Sequence, residues 1–157
     1  MILKINDWEF DIDWDRTTEH SSFASEDHCT CGYCENYYRA VDRVYPNLRP
    51  FVARFGGHIL GPVEMYPIEP TLYLSGYRIF GKVLRVGSAP FMVDGVPVMP
   101  DIREDGIFML EVGEMELPWV LEEDMDEVIS PANEPEFLEK MYRKILSRSA
   151  GDGFLVS

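Results

Sequence analysis

All three cysteines of the chain fall within one short run, His28-Cys29-Thr30-Cys31-Gly32-Tyr33-Cys34. A thiolate is a soft metal ligand. Cys31 and Cys34 have the two-residue separation that turns a backbone back toward one ion, and Cys29 is close enough to supply a third sulfur. Zinc is the expected metal. Tetrahedral zinc takes a fourth ligand, for which His20 and His58 are the candidates, because His28 is too close in sequence to chelate easily. Water or a carboxylate could also complete a three-cysteine site. Three reduced cysteines packed at a helix start would give the same sequence pattern, since cysteine behaves as a small hydrophobe.

Two other chemistries compete for these thiols. Cys31-Gly32-Tyr33-Cys34 opens a helix, where the helix field lowers a thiol's pKa, so the motif superficially resembles a glutaredoxin active site. Thioredoxin-like folds place that motif directly after a buried strand, whereas Ser25-Glu26-Asp27-His28 is polar and no βαβ alternation follows. A metal- or thiol-dependent enzyme built on the cluster stands as the alternative to a structural knuckle. Other enzyme signatures fail on their residues. Gly76-Tyr77-Arg78-Ile79-Phe80-Gly81-Lys82 has the outline of a phosphate loop, but Val83 stands where a magnesium-binding Ser or Thr is required. Asp11, Asp13 and Asp15 have calcium-loop spacing, yet Arg16 replaces the required glycine and Ser22 the closing glutamate. They are expected to be the wet face of a strand. No Gly-x-Ser-x-Gly elbow is present, so the sequence leans away from an enzyme.

Charge is the second signal. The chain carries a formal charge of -14, and the stretch 104–139 contains 13 acidic residues and neither lysine nor arginine. Nucleic-acid binding, which depends on cationic contacts to phosphate, is therefore not expected. The stretch is expected either to keep the protein soluble or to dock a basic protein, as an immunity or inhibitor protein would. No apolar run approaches the length of a membrane span and no secretory leader is visible, so a cytoplasmic protein is expected.

The elements that must position the cysteines follow from periodicity. Trp8-Glu9-Phe10-Asp11-Ile12-Asp13-Trp14-Asp15 alternates apolar and acidic, the period of a half-buried strand. A helix or loop over 16–30 follows, with Asp15 as a candidate cap. Tyr37, Tyr38, Val41, Val44 and Tyr45 recur at helical spacing and predict an amphipathic helix that ends before Pro46, with the cysteines at its start. Asn47 is expected to cap a second helix ended by Gly56-Gly57. Residues 71–121 read as an antiparallel meander with turns at Ser75-Gly76, Gly87-Ser88, Asp94-Gly95 and Asp105-Gly106, and Pro97 is expected on an edge strand. A C-terminal helix is expected over 135–149.

The expected fold is a single α+β domain spanning 1–157, with an antiparallel sheet of four to six strands and two or three helices. Its parts are a strand, cysteine knuckle and helix pair in 1–60, the meander, and the C-terminal helix. The order of the Trp-x-Phe-x-Ile-Asp strand, Asp15-Arg16-Thr17, the Cys29-Thr30-Cys31-Gly32-Tyr33-Cys34-Glu35-Asn36-Tyr37-Tyr38 run and the helix pair ending Phe55-Gly56 resembles a group of uncharacterised bacterial proteins. The resemblance covers roughly the first 60 residues. It implies a bacterial, intracellular origin and a cysteine module, and it carries over no activity.

Overall fold

The structure is a computed structural model that describes residues 1–21, 29, 31–69 and 71–122. Among the described residues, three helices and a seven-stranded antiparallel sheet form an α+β fold. The strands are β1 (Ile2–Ile5), β2 (Trp8–Ile12), β3 (Glu64–Glu69), β4 (Leu72–Arg85), β5 (Phe91–Val93), β6 (Val96–Glu104) and β7 (Ile107–Glu116). The helices are α1 (Trp14–His20), α2 (Gly32–Val44) and α3 (Leu48–Ala53). Strand order is β1-β2-β4-β7-β6-β5, with β3 also paired to β4. The expected C-terminal helix and most of the acidic stretch lie outside the described residues.

β4 organises the sheet. Its 14 residues pair with β7 along one edge, and with β3 and then β2 along the other. Gly81 is required where β2 takes over, because a Cβ there would collide with the Asp11 carbonyl oxygen. The sheet curls: Trp8 of β2 and Phe91 of β5, near opposite ends of the strand order, have ring centroids 5.6 Å apart. Phe10 packs on Phe55, just beyond α3, at 5.1 Å and on Phe108 at 5.4 Å, and Phe51 of α3 packs on Phe91 at 5.2 Å, so α3 and the residues after it cover this face of the sheet. α2 covers the same core with Tyr37, Ala40 and Val41, which share one helical face.

Several local expectations are corrected. β2 stops at Ile12, and Asp13 caps α1 by accepting a hydrogen bond from the Arg16 amide at 3.2 Å. Asp13 and Asp15 thus belong to a helix start, where a carboxylate satisfies free amides, and not to the wet face of a strand. Asn47 occupies the N-cap position of α3 but makes no capping bond, and its side chain instead donates to Asp94 at 2.7 Å. Ser75-Gly76 is no turn: both residues lie inside β4, where Gly76 lets Met109 and Glu64 approach. Asp94-Gly95 does turn the β5–β6 hairpin, with φ of 51° and 79°. Pro97, however, lies on β6, between β5 and β7 in strand order, and is tolerated because pairing with β7 begins only at Val98. The unexpected strands are β1 and β3, the first joined to β2 by a tight turn with Asn6 at a φ of 53°.

Candidate metal centre

Cys31 is the N-cap residue of α2, with extended backbone, and its carbonyl accepts the Glu35 amide at 2.9 Å. One turn on, Cys34 points into the protein and is only 6% exposed. Cys29 and Cys31 are exposed. The three sulfurs lie within 4.8 Å of one another. Tetrahedral zinc with Zn–S bonds of about 2.3 Å places its sulfurs about 3.8 Å apart, so side-chain rotations of about 1 Å would complete the coordination. The cluster can therefore hold a metal ion.

The helix that carries Cys34 is firmly tied to the sheet. Asn36 is buried, and its amide donates to Tyr73 Oη and the Pro118 carbonyl, both at 3.2 Å, while its oxygen accepts the Val120 amide at 2.7 Å. Tyr37 donates to the Ile59 carbonyl at 3.2 Å and shares a hydrogen bond with Tyr77. At the other end, Tyr45 Oη bridges the Glu116 carbonyl and amide at 3.1 and 3.0 Å. Arg49 of α3 grips Asp42 of α2 with its closest contact at 2.6 Å. Nearer the thiols, Tyr38 donates to the Cys29 carbonyl at 2.8 Å and the Cys31 amide donates to Cys29 Sγ at 3.5 Å. Two of the three ligand positions are thereby fixed to α2, and the third is tied to it.

The thiols are electrostatically unequal. A hydrogen bond from Cys34 brings the Cys31 thiol down to about 5, against the opposing effect of burial. Cys34 moves the other way, because its proton serves that hydrogen bond and burial disfavours a second charge.

Neither histidine proposed as fourth ligand belongs to the group formed by the cysteines. His20 directs Nδ1 at the Arg16 carbonyl, 2.8 Å away, and lays its ring 4.9 Å from Phe80. His58 Nδ1 accepts the Leu60 amide at 3.1 Å, and burial holds its pKa below the ordinary value. His28 lies outside the described residues.

A second charged cluster went unnoticed in the sequence. Arg103 bonds Asp101, Glu111 at 2.8 Å and Glu64 at 3.5 Å, although the Asp101 and Glu111 side chains are only 4% and 3% exposed. Burial works against the Arg103 charge, but the Asp101 hydrogen bond and the neighbouring carboxylates outweigh it and raise its pKa. Glu111 is therefore not part of a solvated or docking face. Its signal was strand period: Met109 and Glu111 share the face opposite Phe108, Leu110 and Val112. An open cleft of about 670 Å³, lined by Asp11, Asp13, Arg16, Phe80 and Lys82 among others, includes no cysteine and is separate from the thiol cluster. No helix among the described residues is long and apolar enough to cross a membrane.

No family model, curated protein or solved structure matches the chain.

Proposed function

We propose that the protein is a zinc-holding interaction protein of the cytoplasm, in which Cys29, Cys31 and Cys34 clasp one ion and fasten the approach to α2. The supporting observation is the convergence of three sulfurs within 4.8 Å, two of them on the first turn of one well-anchored helix. Three thiolates favour a soft or borderline-soft cation over magnesium or calcium. The ion has a structural task, since α2 already contributes Tyr37 and Val41 to the core and metal binding couples to the order of its start. The remaining acidic residues of the stretch 104–139 serve to engage a basic protein, with Glu104, Asp105, Glu114 and Glu116 exposed within the described part.

Cobalt substitution tests the metal site. Loading with Co²⁺ is expected to give intense sulfur-to-metal charge-transfer absorption and the visible bands of a tetrahedral ion, both lost in Cys31→Ser. Weak octahedral bands without charge transfer would refute thiolate coordination. Partner binding is tested by capture on immobilised basic proteins from low to high salt. A retained complex that salt releases supports the docking role, and no retention at low salt opposes it.

A metal- or thiol-dependent enzyme is the second reading. The observation that favours it is the asymmetry of the pair, with Cys31 exposed and Cys34 buried.

A further inference from the structure

Cys31 and Cys34 sit at the cap and in the first turn of a 13-residue helix. Helix geometry separates Cα atoms three residues apart by about 5 Å. That is within the range of about 4.4–6.8 Å that a disulfide spans. Cys29 and Cys31 are joined differently. Cys31 itself has extended backbone, and Cys29 lies two residues before it, outside the helix. The Cys29 sulfur is also engaged, since it accepts the Cys31 amide at 3.5 Å. Of the three possible pairings, Cys31 with Cys34 is the one whose backbone separation is set by the helix start within the disulfide range.

Access divides the roles within that pair. A small molecule can reach the exposed Cys31 sulfur, while Cys34, 6% exposed, is shielded from solvent but within 4.8 Å of Cys31. Thiol–disulfide exchange requires this arrangement of one accessible attacking sulfur and one neighbouring sulfur to resolve the mixed intermediate.

We propose that Cys31 and Cys34 are a reversible dithiol whose oxidation by a small-molecule disulfide expels the metal from the cluster. This inference rests on the metal reading above. The Cys31 thiolate leaves the ion and attacks one sulfur of the small disulfide, whose S–S bond breaks and releases one small thiolate. Cys34 then attacks the Cys31 sulfur of the mixed disulfide, forming the Cys31–Cys34 bond and releasing the second small thiolate. The protein loses two electrons and the small disulfide gains them. Cys29 alone remains as a thiolate, and a single ligand does not retain a divalent ion. Excess small thiol reverses both exchanges and restores the site. α2 stays in place throughout, because Asn36, Tyr37 and Tyr45 hold it to the sheet independently of the thiols.

The test uses the full chain loaded with zinc and titrated with glutathione disulfide under argon. Zinc release is followed with a coloured chelator, and disulfides are mapped by mass spectrometry of unreduced peptides. About one zinc released per Cys31–Cys34 disulfide, and recovered after dithiothreitol and fresh zinc, is the expected result. Cys29→Ser is expected to form the same disulfide. Zinc retained under excess oxidant, a bridge to Cys29, or Cys31 held as a stable mixed disulfide would overturn the switch while leaving the metal site intact. A protein that fails to load zinc before oxidant is added would overturn the metal reading and the release together.

Discussion

Cys31 and Cys34 stand one helical turn apart at the start of α2, the first open to solvent and the second buried. The two sulfurs share one proton-donating contact, which leaves Cys31 readily ionised and Cys34 protonated. A divalent ion bound there would displace the remaining proton and relieve that tension, which would link occupancy to local order.

Metal-linked stability follows from this arrangement. A ligand present at about 1,000 times its dissociation constant stabilises by about 4 kcal/mol. Zinc is expected to raise the unfolding midpoint in urea accordingly, and a chelator to remove the gain. Cys31→Ser should unfold at the chelated protein's midpoint whether or not zinc is added. Equal zinc responses in the two proteins would separate the stabilisation from the cysteines.

Asn36 should matter more to the fold than any other polar residue of α2. Asn36→Leu is nearly isosteric but strands Tyr73 Oη, the Pro118 carbonyl and the Val120 amide. Leaving a buried polar group unsatisfied costs about 1–3 kcal/mol, so a loss of about 3 kcal/mol is expected from equilibrium unfolding. A loss below about 1 kcal/mol would mean that water replaces the amide.

Alkaline pH should destabilise the protein through its tyrosines. Burial pushes Tyr37 and Tyr73 from 10.0 up to about 12 and Tyr77 well above its ordinary value. The folded state therefore holds these protons more tightly than the unfolded chain. Their contribution is complete below pH 10 and declines from there to about 12, as the unfolded phenols ionise first. Thermal midpoints should fall across that window, and Tyr37→Phe should flatten the fall. Phenolate absorbance that titrates fully near pH 10 without unfolding would contradict it.

Arg103→Met should be strongly destabilising, because it leaves Asp101 and Glu111 without the guanidinium that bridges them. Breaking a buried pair on one side costs about 3–5 kcal/mol, and the partial exposure of Arg103 places the expected loss at the lower end. The double variant Arg103→Met with Glu111→Gln should recover part of it. No recovery would show that the two residues act independently.

The legible parts of the fold were those set by short-range rules. The β2 alternation, the helical spacing of Tyr37 and Val41 and the turn at Asp94-Gly95 each depend on neighbours in sequence, and each appears where expected. The strand was nonetheless read three residues too long, since Asp13 and Asp15 continue the alternation yet serve the start of α1. β4 was misread as broken because Gly76 resembles a turn residue, although long-range contacts with Glu64 and Met109 explain the missing side chain. At the site, the cysteines were evident from clustering, whereas the role of Asn36 was not. Its partners lie 37 to 84 residues away and are joined only by the tertiary fold. The Arg103 network was hidden for the same reason, within a stretch whose charge suggested only surface.

Metal content of the purified protein tests the central claim most directly. Protein prepared without a metal-affinity step should be weighed intact under native conditions and analysed for metals by inductively coupled plasma mass spectrometry. Thiols should be counted before and after chelation. About one zinc per chain, with the cysteines protected until the chelator removes it, is the expected result. Metal-free protein that takes up no added zinc and presents its thiols equally with and without chelator would contradict the account.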